Sequence, residues 1–215
     1  MAAQGYARQY CQKWSKTRNF ILFPIMVFFF ISSISCSLNN TNESIRKQIE
    51  AIQGHKITFM LDSMSCFYGM EEVSAPKEML DAYKFVLFTD NDECSSCALT
   101  SLYEWEPLIE RESKKHKSKI DFVFIFSPKV SEISNLKKKI LHANIRHHIF
   151  IDSKGLFMKY NDIPNNHLFH AFLVDSCNRI VVIGNPLRSE KVRDLMDKVI
   201  EGSIKDNFST NFFEQ

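Results

Sequence analysis

The stretch that decides the fold runs Tyr83-Lys-Phe-Val-Leu-Phe-Thr-Asp-Asn-Asp-Glu-Cys-Ser-Ser-Cys97. Its first six residues, 83–88, are mostly apolar and aromatic, which predicts a strand. A short acidic loop, 89–93, follows, and Cys94 and Cys97 then begin a helical pattern. Two cysteines at this spacing and place can close into a small disulfide and reopen, because a helix N-terminus stabilises a thiolate. The spacing alone is also that of half a zinc site, so the position after a strand is what favours redox chemistry.

Strands and helices alternate after this stretch. The apolar run 120–126 predicts a central strand that is buried on both faces, and a helix at 130–141 and a strand at 147–151 follow it. Residues 171–175 and 179–183 form a predicted hairpin. The last helix carries an apolar stripe at helical spacing, made of Val192, Leu195, Met196, Val199 and Ile200. This order predicts an α/β fold with a mixed sheet flanked by helices.

Three further local predictions concern the remaining chain. Residues 55–61 alternate in polarity and predict a strand, whereas 62–75 contain no clear pattern and are expected to be irregular. Pro76 is expected to begin a short helix that ends near Tyr83, and Pro107 is expected to interrupt the helix that begins at Cys94.

The first 36 residues have the layout of a bacterial secretory signal. A basic start without acidic residues precedes an apolar run at 20–31, and small residues then lead to Cys36. The apolar run is short for a membrane span. A cysteine directly after small residues resembles a lipoprotein signal, in which the new N-terminal cysteine carries diacylglycerol. We therefore predict lipidation at Cys36, with an uncleaved N-terminal anchor as the alternative, and both would place the domain in the bacterial cell envelope, facing the periplasm.

The charge balance excludes an electrostatic nucleic-acid binder. The chain has 27 basic and 25 acidic residues, and four of the basic ones lie in residues 1–36, where there are no acidic residues. The exported part therefore has 23 basic against 25 acidic residues, a formal charge of −2. A polyanion such as nucleic acid would find no excess of positive charge to bind.

The arrangement around the cysteines resembles the thioredoxin-like superfamily, and more closely the exported TlpA-type thiol–disulfide oxidoreductases, including Bacteroidetes lipoproteins. The resemblance covers roughly residues 83–201 and rests on the run Lys84-Phe-Val-Leu-Phe, on Cys94-Ser-Ser-Cys97, and on Phe169-His-Ala-Phe-Leu-Val-Asp175 with Arg179-Ile-Val-Val-Ile-Gly-Asn-Pro186. It implies a thioredoxin-like fold with an N-terminal extension. It also implies exchange with protein thiols and disulfides and an electron donor that the sequence does not identify.

The resemblance also implies roles for particular residues. Cys94 would be the attacking thiolate, and Cys97 would be the resolving thiol. Phe169 stands where the family has a cis-proline that faces the disulfide, so Phe169, His170 and Glu93 are expected to face the substrate. The sequence also departs from the family pattern by placing Glu93, not tryptophan, before the first cysteine.

The acidic loop predicts a reducing protein. Asp90, Asp92 and Glu93 place negative charge before Cys94, and like charges raise the pKa of a thiol. A less stable thiolate favours the disulfide, so we expect a disulfide reductase.

Other interpretations remain open at this stage. Cys94, Cys97 and His170 could together bind copper or zinc, and a thioredoxin-fold module without turnover could act only in binding. Cys66 and Cys177 could pair or stay separate. The sequence contains no cofactor motif, and we expect no cofactor.

The predicted organisation has four parts. Residues 1–36 form the leader, 37–82 a tether and N-terminal extension, 83–202 the thioredoxin-like domain, and 203–215 a C-terminal tail.

Overall fold

The computed structural model describes residues 43–76, 82–117 and 119–203. The chain divides into two compact units, Met1–Lys47 with Phe213–Gln215, and Gln48–Phe212. In the first unit only 43–47 are described, and they are helical, with an ion pair of 2.8 Å between Lys47 and Glu43. The predicted signal, the lipidation site Cys36 and most of the tail lie outside the described residues. Within the described ranges, no helix combines the length and the apolar content needed to cross a membrane.

The second unit contains the sheet. The strands are β1 Ser65–Gly69, β2 Glu71–Val73, β3 Tyr83–Thr89, β4 Ile120–Phe126, β5 Ile145–Ile151, β6 Ala171–Val174 and β7 Ile180–Ile183. The helices are α1 at 43–52, α2 Ser95–Ser101, α3 Glu106–Lys115, α4 Ile133–Ala143, α5 Leu156–Asn161 and α6 Glu190–Ile200. Short 3₁₀ turns cover Leu61–Ser63, Leu102–Trp105, Val130–Glu132 and His167–Phe169.

The seven strands form one mixed sheet in the order β2-β1-β5-β4-β3-β6-β7. Strand β4 is parallel to both of its neighbours, β3 and β5, and the remaining pairs are antiparallel. The predicted fold class is confirmed, because this is a thioredoxin-like mixed sheet flanked by helices, with the Cys-x-x-Cys helix α2 following the parallel strand β3.

Both faces of the sheet are covered. On one face, Phe85 of β3 and Phe124 of β4 contact Trp105, and the same core includes residues of α3, α4 and α6. On the other face, Phe88 of β3 contacts Phe157 of α5. Burial on both faces explains why β3 and β4 are nearly continuous apolar runs.

The structure corrects the prediction of a strand at 55–61. This segment makes a single bridge, Lys56 to Arg179, and beyond that bridge the side chain of Asn161 satisfies the backbone of Thr58. Asn161 accepts a hydrogen bond from the Thr58 N–H at 2.7 Å and donates one to the Thr58 carbonyl at 3.0 Å. The alternation of buried Ile57 and Phe59 with exposed residues therefore reflects an extended segment and not a strand of the sheet.

The region 62–75 was expected to be irregular, but it contributes β1 and β2 to the sheet. These strands are short and β1 ends in glycine, so their sequence signal is weak. The helix that was expected to begin at Pro76 falls mostly on undescribed residues. The break at Pro107 is confirmed, since α2 passes into a 3₁₀ turn and Pro107 occupies the first turn of α3. The hairpin of β6 and β7 and the apolar stripe of α6 are also confirmed.

Candidate redox site

Cys94 and Cys97 form a disulfide at the N-terminus of α2, with their Cα atoms 5.2 Å apart. Cys94 is the N-cap residue, and its Sγ accepts a hydrogen bond from the backbone N–H of Cys97 at 3.3 Å. Both cysteines are exposed. A helix N-terminus provides unpaired N–H groups and a positive partial charge, so the position suits a sulfur that becomes a thiolate.

The acidic loop before Cys94 has a defined turn. The Asp90 carboxylate accepts hydrogen bonds from the backbone N–H groups of Asp92 at 2.8 Å and Glu93 at 3.0 Å. Asp90 is buried at the end of β3, and this Asx-type turn fixes the position of Glu93.

Glu93 lies between two histidines. Its Oε1 is 2.9 Å from Nδ1 of His167 and 3.1 Å from Nδ1 of His170. The hydrogen bond from His170 lowers the pKa of Glu93 and outweighs the opposing effect of burial. Glu93 is therefore ionised at neutral pH, and because a carboxylate only accepts, both rings donate from Nδ1.

A 3₁₀ turn, His167–Phe169, brings His167 and His170 together beside Glu93. The Asn166 side chain caps this turn by accepting a hydrogen bond from the Leu168 N–H at 3.1 Å. Side chains three residues apart eclipse in a 3₁₀ turn, so His167 and His170 lie side by side with ring centroids 5.2 Å apart. His170 also contacts Phe88, and its carbonyl accepts the Phe88 N–H at 2.8 Å, which connects the turn to β3.

The disulfide opens into a cavity of about 760 Å³. Glu93, Cys94, Cys97, His167 and His170 all line it. The cavity is also lined by one cationic side chain, Arg188, and by the apolar side chains of Leu87, Trp105, Leu168 and Leu187. The cavity therefore combines a reactive sulfur pair with groups that can hold a peptide or a charged ligand.

The three residues that were expected to face the substrate lie in two different places. Glu93 and His170 line the cavity, whereas Phe169 is only 1% exposed and packs in the core. Phe169 occupies the middle of the 3₁₀ turn, which directs it away from the histidines on either side. Sequence reasoning missed His167, although the His-x-x-His spacing at 167–170 was a readable signal.

The alternative metal set of Cys94, Cys97 and His170 can be compared with the ligand atoms that the structure groups around His170. The metal-ligating atoms grouped with His170, all within 4.8 Å of one another, belong to Asp90, Glu93 and His167. Neither cysteine is a member of this cluster.

The remaining cysteines of the described residues do not pair. Cys66 is buried in β1, and Cys177 is exposed in the turn of the β6–β7 hairpin. Burial raises the pKa of the Cys66 thiol to about 11, so it stays protonated and unreactive at neutral pH.

A second acid–histidine cluster lies away from the cavity, between α3 and α6. It consists of Glu112, His116 and Asp197. His116 Nε2 is 2.9 Å from Asp197 and 3.1 Å from Glu112. Lys115 contacts Asp197 at 2.8 Å, and Arg111 contacts Glu112.

No family model matches the chain, and no curated protein matches its sequence. Several solved structures are similar to it. A proposed thiol:disulfide interchange protein DsbE from Chlorobium tepidum aligns over 69% of this chain and 97% of its own, with 12% identity and a TM-score of 0.46. An uncharacterized thioredoxin-like protein from Porphyromonas gingivalis aligns over 69% and 94%, with 15% identity and a TM-score of 0.43.

StoA from Bacillus subtilis aligns over 61% of this chain and 96% of its own, with 17% identity and a TM-score of 0.39. At these values the matches assign no activity to this chain.

Proposed function

We propose that this protein is a thiol–disulfide oxidoreductase that acts as a disulfide reductase on protein substrates. The observation that carries the proposal is the exposed Cys94–Cys97 disulfide at the N-terminus of α2, at the wall of the cavity. Exposed disulfides are the ones that more often exchange with other thiols, and this one is open to a partner sulfur.

The reaction proceeds by two thiol–disulfide exchanges. In the reduced protein, the Cys94 thiolate attacks one sulfur of a substrate disulfide and forms a mixed disulfide, and the other substrate sulfur leaves as a thiolate that takes up a proton. Cys97 then loses its proton and attacks Sγ of Cys94. The Cys94–Cys97 disulfide forms, and the second substrate sulfur leaves as a thiol. The protein thereby gives two electrons to the substrate, and an external dithiol returns them.

The cavity supports a protein or peptide substrate. Leu168 is exposed beside the histidine turn, and the apolar lining can contact a substrate chain around its disulfide. Arg188 adds one positive charge to the wall. These contacts would align the substrate sulfur with the exposed Cys94.

The charge around Cys94 supports a reducing role, although less strongly than the sequence implied. Glu93 precedes Cys94 and is ionised, so it disfavours the Cys94 thiolate. Two imidazole N–H groups share the charge of Glu93, and two backbone N–H groups share that of Asp90. The repulsion on the thiolate is therefore smaller than that of free carboxylates.

We also propose a TlpA-type setting for this activity, with the domain outside the cytoplasm and held at a membrane by a lipid on Cys36 or by an uncleaved anchor. The leader and the resemblance in residues 83–201 support this setting. The electron donor would then be an exported or membrane-bound dithiol.

A turnover assay tests the function. Full-length protein, a dithiol donor and a disulfide-containing model protein should give donor-dependent release of substrate thiols. Cys94→Ser should reduce the rate by at least about a thousandfold, because nucleophile loss removes the covalent route. The matched control, Cys177→Ser, should retain the wild-type rate. Wild-type protein that lacks turnover while its disulfide still forms would instead favour a binding module.

A further inference from the structure

The cluster beside the disulfide has the chemistry of a metal site. Imidazole nitrogens and carboxylate oxygens are the common protein ligands of Zn²⁺, and Asp90, Glu93, His167 and His170 offer four such atoms within 4.8 Å of one another. We propose that Glu93, His167 and His170, with Asp90, bind a divalent first-row transition-metal ion, for which Zn²⁺ is the best match.

The distances suit a small ion. Glu93 Oε1 lies 2.9 and 3.1 Å from the two Nδ1 atoms. Ligands at zinc bond lengths of about 2.0–2.2 Å on tetrahedral corners are roughly 3.3–3.6 Å apart. An ion that binds Nδ1 of each ring, with the ring proton moved to Nε2, therefore needs the side chains to separate by only a few tenths of an ångström.

His170 gives a second, independent indication. Its side chain is 3% exposed, and among the described residues its Nε2 has no hydrogen-bond partner. Buried polar atoms normally have a partner, and a bound ion is one recognised explanation for an atom that lacks one. Either ring nitrogen of His170 can coordinate an ion: Nε2 with its lone pair while Nδ1 keeps the proton, or Nδ1 after the ring proton has moved to Nε2.

The surroundings favour an added cation. The partners of Glu93 are imidazoles, which can give up a proton to a metal, and not lysine or arginine, which remain positive. The Asx-type turn at Asp90 holds Glu93 in place, and the 3₁₀ turn holds both histidines. Ligands that are fixed in advance lose little conformational freedom when the ion binds.

The site does not depend on thiol chemistry. Its ligands are oxygen and nitrogen atoms, so it should bind Zn²⁺ while Cys94 and Cys97 remain in their disulfide. The test therefore uses the oxidised full-length chain after alkylation of its free thiols, which removes thiolate ligands from competition.

The experiment is equilibrium dialysis against Zn²⁺, followed by elemental analysis, with calorimetric titration for affinity. We expect one equivalent of Zn²⁺ in the wild type. His167→Ala and Glu93→Gln should each weaken binding by at least about tenfold, because each removes a ligand. His167 is 62% exposed, so its replacement should not unfold the protein.

Two matched controls separate this site from general surface binding. His55→Ala removes an exposed histidine, and Glu110→Gln removes an exposed carboxylate. Both should retain the wild-type stoichiometry and affinity. The proposal is overturned if Zn²⁺ does not bind, if His167→Ala and Glu93→Gln bind it as tightly as the wild type, or if Asp197→Asn is the variant that loses it.

Discussion

Two clusters of the same residue types lie in different surroundings. The first joins Glu93, His167 and His170 beside the disulfide, and the second joins Glu112, His116 and Asp197 between α3 and α6. Lys115 and Arg111 complete the second cluster with permanent positive charges, which leaves no demand for a metal ion. In the first, the ion-pair partners of Glu93 among the described residues are two imidazoles, and the cluster opens into the cavity.

The partners of the carboxylates predict different roles for the two clusters. In the second cluster, carboxylates are paired with permanent cations, and the Lys115–Asp197 pair joins α3 to α6 and so contributes to stability. Charges that are held only by imidazoles beside a reactive sulfur can exchange protons or ions. We therefore expect changes in the second cluster to affect folding and changes in the first to affect the redox site.

Asp197→Ala should have the largest effect on stability. Asp197 accepts from His116 and Lys115 and is 14% exposed, and its removal leaves the buried His116 with Glu112 as its remaining acidic partner and takes the ion-pair partner from Lys115. The free energy of unfolding should fall by about 2–3 kcal/mol. Denaturant unfolding measures it.

The matched variant is Glu93→Ala in the first cluster, which should cost less, about 1 kcal/mol, because Glu93 and His167 are partly exposed to solvent and only the buried His170 loses a partner that water does not replace. Equal losses for the two variants would contradict the division between a supporting and a chemical cluster.

Acid should weaken the second cluster. Burial acts to raise the pKa of Asp197, but hydrogen bonds from Lys115, Glu112 and His116 outweigh it and lower that pKa to about 2. The carboxylate is thus favoured in the folded state, and its contribution is present above the unfolded value of about 4. This contribution is lost as the pH falls from about 4 to 2.

Burial raises the pKa of Glu112, so the protonated form of this group is favoured in the folded state. Its contribution to stability therefore grows as the pH falls and offsets part of the loss from Asp197. Unfolding free energies at several pH values, for the wild type and for Asp197→Asn, measure the difference. A wild-type acid dependence that the variant reproduces in full would show that other carboxyl groups cause it.

Glu93→Gln should have the smallest effect, on the reduction potential. Removing the negative charge before Cys94 favours the thiolate and hence the reduced form. The potential should become less negative by roughly 10–30 mV, since about 30 mV corresponds to one pKa unit. Redox titration measures this change, and a shift toward more negative values would refute the proposed role of the charge.

The sequence predicted the central features because each has a strong local signal. Three signals could be read directly: the Cys-x-x-Cys spacing after an apolar run, the continuous apolar run of β4, and the helical periodicity of the stripe in α6. It did not predict that Asn161 would satisfy the backbone of Thr58, because those residues are 103 positions apart. An alternating segment therefore looked like a strand.

Only the part of the candidate site that is local in sequence could be predicted. Glu93 and the cysteines are neighbours in sequence, but the histidine turn reaches them only through the pairing of β3 with β6. The family pattern placed Phe169 toward the substrate, whereas the 3₁₀ turn buries it and presents His167 and His170 instead.

The most direct test of the account is a mixed-disulfide trap in the reduced full-length protein. Cys97→Ser removes the resolving thiol, so Cys94 should remain covalently bound to a disulfide substrate in a complex that reductant releases. Mass spectrometry should locate the bond at Cys94, and Cys94→Ser should form far less of this complex. Equal trapping by both variants, or none by Cys97→Ser, would contradict the assignment of Cys94 as the attacking thiol.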